Sequence, residues 1–347
     1  MAQTEITHHG ILLDSNGSLT QVGWSPQPLL HCNLENVSFY PRLLHPLQRF
    51  RIKRWDYYAV FTPQRFFSAT IADLGYAGNI FVYTLDFTTG ELHEEGLVIP
   101  LGTNIELPRS STGGTSTYRG KDVRLAFQVG TDYRHITVNW PGFHDGRGIK
   151  ADIRLACRIK HESMTIVIPI EDKRFYYNRK INCMPALGSL TYGDIHETLE
   201  SESSLGSLDW GRGVWAYSSF WNWASASGFL PNSLSVGLNL GSGFGDTSAA
   251  TEDCLLLDGR VHKLGAVTFD YPSGDYMDVW KFRDGEDRLE LDFTPFKDRM
   301  ARTNLGLIVS EVHQVFGRYN GWVKADDGEV VNIIDLIGFA EEHQAKW

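Results

Sequence analysis

A chain of 347 residues with 42% hydrophobic and 21% charged side chains has the length of roughly two domains, each able to bury its own core. Its 32 basic against 42 acidic side chains leave a net charge of -10, which argues against the clustered basic excess of a nucleic-acid or anionic-membrane binder. Aromatic residues make up 12%, with 10 tryptophans, and composition alone leaves them open between core filler and binding surface.

Met1 to Gly10 is polar and lacks the apolar core of a signal peptide. No apolar run approaches the ~20 residues that cross a bilayer, Met164 to Ile170 being among the longest. The expectation is a cytoplasmic protein without a transmembrane segment. Cys32, Cys157, Cys183 and Cys254 lie far apart with no Cys-x-x-Cys pair, so reduced thiols are expected and no zinc or redox motif is supported. Nor is there a His-Glu-x-x-His or His-x-His pair, a Gly-x-Ser-x-Gly elbow or a phosphate loop.

Along the chain the first aromatic segment is Arg54 to Phe61, where Trp55, Tyr57 and Ala59 share one face of a strand and Asp56, Tyr58 and Val60 the other. Neither face is polar, so both are expected to be covered by protein. Val123, Leu125, Phe127 and Val129 alternate with polar residues, as do Ile153, Leu155, Cys157 and Ile159 with Asp152, Arg154 and Arg158. Asn139 to Gly146 reads as a hairpin loop and Gly148 to Ile170 as a hairpin. A boundary is expected near 175–190. Asp194 to Glu202 has the pattern of a helical turn or two, and acidic, Ser-rich Glu197 to Ser207 that of an exposed loop.

The densest feature follows. Asp209-Trp210-Gly211-Arg212-Gly213-Val214-Trp215-Ala216-Tyr217 leads into Trp221 and Trp223, which share a strand face. Asp209 and Arg212 are expected to pair across a glycine turn. The segment is either an aromatic pocket with a polar handle or a barrel's aromatic plug. Gly237 to Asp246 fails the dinucleotide fingerprint and reads as a strand entering a glycine-rich turn. Asp246, Glu252 and Asp253 are candidate general acids if desolvation raises them, and a solvated acidic loop otherwise. Asp258-Gly259 marks a hairpin that should expose Arg260 and Lys263, with His262 at a rim. Leu289, Leu291 and Phe293 alternate again, Asp284-Gly285 and Asp327-Gly328 mark turns, and Gly338 to Trp347 has the composition of a short C-terminal helix.

The fold class from these patterns is all-β, antiparallel meanders closing into barrels or packing as sandwiches, with few short helices. The segments Asn178 to Gly188, Asp209 to Trp215 with Trp221-Asn222-Trp223, Asn239 to Asp246 and Asp335 to His343 resemble the bacterial and fungal family called domain of unknown function 2804. Through the Trp-x-Trp strand and the closing Gly-Phe strand, that family is distantly similar to double-lipocalin proteins. These include AttH-like proteins, hydroxyneurosporene synthase-type hydratases, tocopherol cyclases and some fungal Diels–Alderases. The resemblance implies two packed lipocalin-like barrels, here expected over 1–180 and 181–347, with a ligand cavity in or between them and no redox cofactor.

The leading reading is a binder, and as an enzyme a hydratase or cyclase, of a hydrophobic, isoprenoid-, lipid- or polyketide-like molecule. Asp209, Asp246 or Glu252 would do acid/base work, and Arg212 would orient an oxygen. Trp210, Trp215, Tyr217, Trp221, Trp223, Asn239, Trp55 and Tyr57 would line the site. The alternatives are a carbohydrate-active enzyme with paired carboxylates on aromatic platforms and a non-catalytic lipid carrier or interaction protein. No metal site is indicated, and oligomeric state stays open.

Overall fold

The computed structural model describes residues 3–157, 160–304 and 308–346; Arg158, Ile159 and Trp347, named above in strand or helix patterns, lie outside them. The chain is antiparallel β almost throughout. Before residue 52 come short pairings and a 3₁₀ segment, Arg42–Arg51.

The first sheet uses β1 (Ile52–Phe61), β2 (Arg65–Asp73), β3 (Ala77–Asp86), β4 (Leu92–Pro100), β5 (Gly114–Arg119) and β6 (Arg124–Val129). It continues with β7 (Tyr133–Trp140), β8 (Ile149–Ala156), β9 (Met164–Glu171), β10 (Arg174–Tyr192), β11 (Ile195–Leu199) and β12 (Leu205–Val214). Its main path is β4-β3-β2-β1-β12-β10-β8-β7-β6-β5, ending on Ile105–Glu106. The path curls on itself: the Ile105 side chain fills the space over Gly78 beside β2.

The second sheet uses β13 (Ser218–Phe229), β14 (Ser235–Ser242), β15 (Cys254–Leu257), β16 (Arg260–Lys263) and β17 (Val267–Asp270). β18 (Trp280–Asp284), β19 (Leu289–Asn304), β20 (Val309–Lys324) and β21 (Val330–Lys346) complete it, in the order β16-β15-β14-β13-β21-β20-β19-β18-β17. Asp253 closes this curl, its two carboxylate oxygens accepting the Gly241 N–H of β14 (2.8 Å) and the Val267 N–H of β17 (3.3 Å).

Strand alternation and the glycine turns behave as expected: Asp258-Gly259 and Gly90 hold positive φ at hairpin tips. Four local expectations are corrected. β8 and β9 do not pair with each other; both pair with β10, so Gly148–Ile170 is not a hairpin. Asp194–Glu202 holds strand β11, paired to β10, rather than helix. Of Glu197–Ser207, only 200–204 is the expected loop, a turn exposing Glu200, Glu202 and Ser203; its flanks are the end of that strand and the start of buried β12. Gly338 onward is the last strand, where pairing to β13 and β20 overrides the helix propensity of its Ala, Glu and Gln residues. The residue-180 boundary falls inside β10, and the changeover between sheets lies between Val214 and Ser218.

Each sheet folds around its own core. Tyr58, Val60, Ile181, Leu208 and Trp210 point into the first. Ala224, Ala226, Leu238, Val315 and Ala340 point into the second. Period-two alternation sends the intervening residues of the same strands outward, and there the two sheets meet. Tyr57, Ala59, Trp223, Phe316 and Phe339 form one apolar patch of that layer, and Ile168, Tyr176, Trp215 and Ala250 another.

Candidate functional site

Register explains which side chains enter the layer. Across the first sheet Lys180 pairs with Asp209 and Asp209 with Tyr57, so the three stand in a row on one face. Across the second sheet Trp223 lies between Gly241 and Glu341, and Ser225 between Asn239 and Phe339.

Lys180 is one charge that joins the sheets; Arg299 of β19, paired with Glu94 of β4, is another. The Lys180 ammonium lies 3.5 Å from Asp209 on its own sheet and 3.3 Å from Glu252 in the loop leading into β15 of the other, and sits 3.9 Å from the Trp223 ring centroid. Burial by itself would lower this ammonium, but Asp209 and Glu252 outweigh it and the group is raised, so it stays charged. Asn178 donates to Asp209 Oδ1 at 2.5 Å. Asn239 accepts the Trp223 indole N–H at 2.9 Å and donates to the Glu252 backbone carbonyl at 2.8 Å, fixing ring and acid together. The gap among these groups takes no water-sized sphere in this conformation.

An aromatic box adjoins the charges. Trp55 stacks on Tyr176 at 5.8 Å, and Trp215 meets Trp55, Trp221 and Phe244 edge-on at 5.1, 5.4 and 4.6 Å. Gly211 makes room for it, since a Cβ there would lie 1.9 Å from the Trp55 ring. Burial drives the Tyr176 hydroxyl well up, and the nearby carboxylates of Asp209, Glu252 and Glu341 add to it. Glu341 accepts the Trp221 indole N–H and a Gln314 amide N–H, each at 3.2 Å. The His343 ring lies 4.0 Å from Trp221, with Nε2 2.8 Å from Ser310 Oγ and Nδ1 3.6 Å from Glu341.

Of the residues singled out from sequence, the layer gathers Asp209, Glu252, Trp215, Trp221, Trp223, Asn239, Trp55 and Tyr57. Tyr217 is exposed at its edge. Arg212 and Trp210 lie on the opposite face of β12, in the first barrel. The expected Asp209–Arg212 pair across a turn does not form, because the segment is an extended strand and residues three apart face opposite ways. Arg212 instead pairs with Asp56 at 2.9 Å and covers the Trp210 ring at 4.3 Å. Asp246 is exposed on its turn, where hydrogen bonds from Ser248 lower its carboxyl, so the desolvated-acid expectation fails for it. It fits Asp253: burial raises that carboxyl to about 7 against the pull of Lys263. Lys263 is not exposed as expected; its ammonium donates to Thr251 Oγ1 and to the carbonyls of Asp253 and Leu264.

Sequence reading missed Lys180, Tyr176, Gln314, Glu341 and His343. No local signal pointed to the first, since Lys180 sits among Asn178, Arg179 and Asn182 with Ile181 as its one apolar neighbour.

Among the described residues no cluster of three or more His, Cys, Asp or Glu could hold a metal ion, and no helix is long and apolar enough to cross a membrane. All four cysteines are free thiols.

Comparison with solved structures finds likenesses at low identity. CghA with Sch210972 superposes with a TM-score of 0.53 at 11% identity, covering 85% of this chain and 88% of that one. A second CghA structure gives 0.54 at 10%, covering 85% and 87%. Kievitone hydratase from Nectria haematococca gives 0.46 at 11%, covering 85% and 88%. Curated protein sequences give no match. The CghA likeness is one of architecture, the double-lipocalin arrangement expected from the sequence. A family model matches residues 3–347, and the chain therefore belongs to the family described as domain of unknown function (DUF2804).

Proposed function

We propose that the protein binds a hydrophobic small molecule in the aromatic layer between its sheets and transforms it by proton transfer at Asp209 and Glu252. The observation that carries this reading is the buried Lys180 bridging Asp209 and Glu252 against the Trp223 face. Buried ion pairs cost desolvation energy and add little net stability, so a charged cluster inside an aromatic wall is better accounted for by chemistry than by folding. That CghA, of the same fold, is crystallised with Sch210972 supports a small-molecule ligand.

The roles follow from position. Asp209 exchanges a proton with the ligand, Glu252 is its counterpart from the loop before β15, and Lys180 holds both carboxylates in place. Cationic character on the ligand would be stabilised by Trp221 and Trp223 at about 0.5–2 kcal/mol per ring. Phe244, held between Gly243 and Gly245 at positive φ, covers the box at Trp215 and Trp221 and is the side chain that must move for entry. Arg212 has no part in this layer.

One observation favours a non-catalytic reading: the polar groups around the gap are already paired with one another. Asn182 donates to Ser225 Oγ and Asn239 to Glu252. The same pairing leaves few free groups for sugar hydroxyls. The test separates these readings. The ligand extracted from the purified protein is incubated with wild type and with Asp209→Asn, which keeps the Asn178 contact. Loss of conversion with retained binding supports catalysis; unchanged conversion removes Asp209 from the chemistry, and no conversion by wild type leaves a carrier.

A further inference from the structure

A roomier cavity lies elsewhere, at the mouth of the first barrel, where the Arg42–Arg51 segment, the start of β1 and the Pro108–Arg109 stretch border an open cleft of about 510 Å³. That volume is typical of a small-molecule site. Its walls carry Arg49, Arg54, Arg109 and Arg212 against Glu35 and Asp73, in a chain whose overall charge is -10.

The carboxylates are already assigned. Glu35 takes Arg109 at 2.8 Å, Asp73 takes Arg54, and Asp56, behind the wall, takes Arg212 at 2.9 Å. Among the described residues Arg49 makes no ion pair, and its guanidinium lies 4.7 Å from the Phe50 ring centroid. Arg212 is fully buried, and its Nε–H has no acceptor. The rest of the wall is apolar, with Phe50, Ile52, Leu34, Leu101 and Pro108.

We infer that this cleft is a second binding site, taking a monoanionic carboxylate carried on an apolar body. One uncompensated guanidinium at the rim matches one negative charge, and a planar carboxylate meets its fork with two parallel hydrogen bonds. The apolar wall, including Leu101, which is 63% exposed without a ligand, would cover the ligand's chain. The site is independent of the inter-sheet layer, because Arg212 and Asp209 project from opposite faces of β12.

Calorimetric titration of the full chain with dodecanoate below its micellar concentration, dodecanol and inorganic phosphate tests this. Dodecanoate should bind once per chain and roughly tenfold or more tighter than dodecanol, the increment of a charge-assisted pair. Arg49→Gln should abolish that preference, Leu101→Asp should weaken dodecanoate, and Trp221→Ala should leave it unchanged. Both substituted cleft residues are exposed, so folding is not at stake. Absence of saturable dodecanoate binding, equal binding of dodecanol, phosphate binding as tight as dodecanoate, or insensitivity to Arg49→Gln each overturns the inference. Binding lost in Trp221→Ala but kept in Arg49→Gln assigns dodecanoate to the inter-sheet layer and equally overturns it.

Discussion

The Lys180 ammonium lies 3.9 Å from the centroid of the Trp223 ring, a contact that crosses from the first sheet to the second. It makes one lysine answerable to both halves of the molecule, since Asp209 and Glu252 hold the same ammonium from opposite sides.

Removing that ammonium should be costly. Lys180→Met leaves two carboxylates facing each other without a cation, and breaking a buried pair from one side costs about 3–5 kcal/mol. The triple change Lys180→Met, Asp209→Asn, Glu252→Gln should recover most of the loss. Urea unfolding at neutral pH measures both. A single substitution that costs under about 1 kcal/mol, as at exposed pairs, contradicts the burial argument.

Glu252 can be moved without touching it. A Cβ at Gly241 would lie 2.3 Å from Glu252 Oε1, the end of a flexible side chain. Gly241→Ala should therefore fold with little loss of stability yet swing Glu252 away from Lys180, lowering ligand conversion in proportion to the Glu252→Gln variant. Full activity in Gly241→Ala would show that Glu252 does not act from this position.

Gly211→Ala is the opposite case. The added carbon would lie 1.9 Å from an indole that is itself wedged against Tyr176 and Trp215, so neither side can yield cheaply. The expected loss is in the overpacking range of about 1–3 kcal/mol, with altered near-ultraviolet circular dichroism from the displaced tryptophans. An unchanged aromatic spectrum argues against the box as described.

Asp253 sets a pH dependence whose sign is opposite to that of a salt-bridged acid. Burial raises its carboxyl from 3.8 to about 7 in the folded chain. Between those values the folded state holds a proton that the unfolded state has released. Its contribution to stability is thus present in full below about 4, falls as pH rises towards 7, and is flat above. Asp253→Asn should remove that slope in urea unfolding between pH 4 and pH 7. A wild type that gains stability over this range relative to the variant means that the carboxyl is ionised and paired to Lys263 instead.

The strands were legible because burial on alternating faces writes itself into runs such as Val123–Val129 and Leu289–Phe293. Trp55 and Tyr57 could be placed on one covered face for the same reason. What the pattern hid was straightness. Gly211 and Gly213 looked like turn residues, but they sit in an unbroken strand where Trp55 and the Phe175 backbone approach too closely for a side chain. Reading a turn there paired Asp209 with Arg212, when one extended strand sends them into different layers. Lys180 was missed because its partners lie 29 and 72 residues away in sequence, as the numbering of Asp209 and Glu252 shows. The final strand was mistaken for a helix because Ala340, Glu341, Glu342 and Gln344 favour helices until neighbouring strands claim their backbone.

The central claim is that the inter-sheet layer holds an apolar ligand. Native mass spectrometry of the chain after incubation with an apolar extract of the cells that produce it tests this most directly. The account predicts one apolar molecule per chain, retained in Arg49→Gln and lost when Trp221 and Trp223 are both replaced by Ala. A chain that stays bare, an oligosaccharide adduct, or an adduct indifferent to the loss of both tryptophans would contradict it.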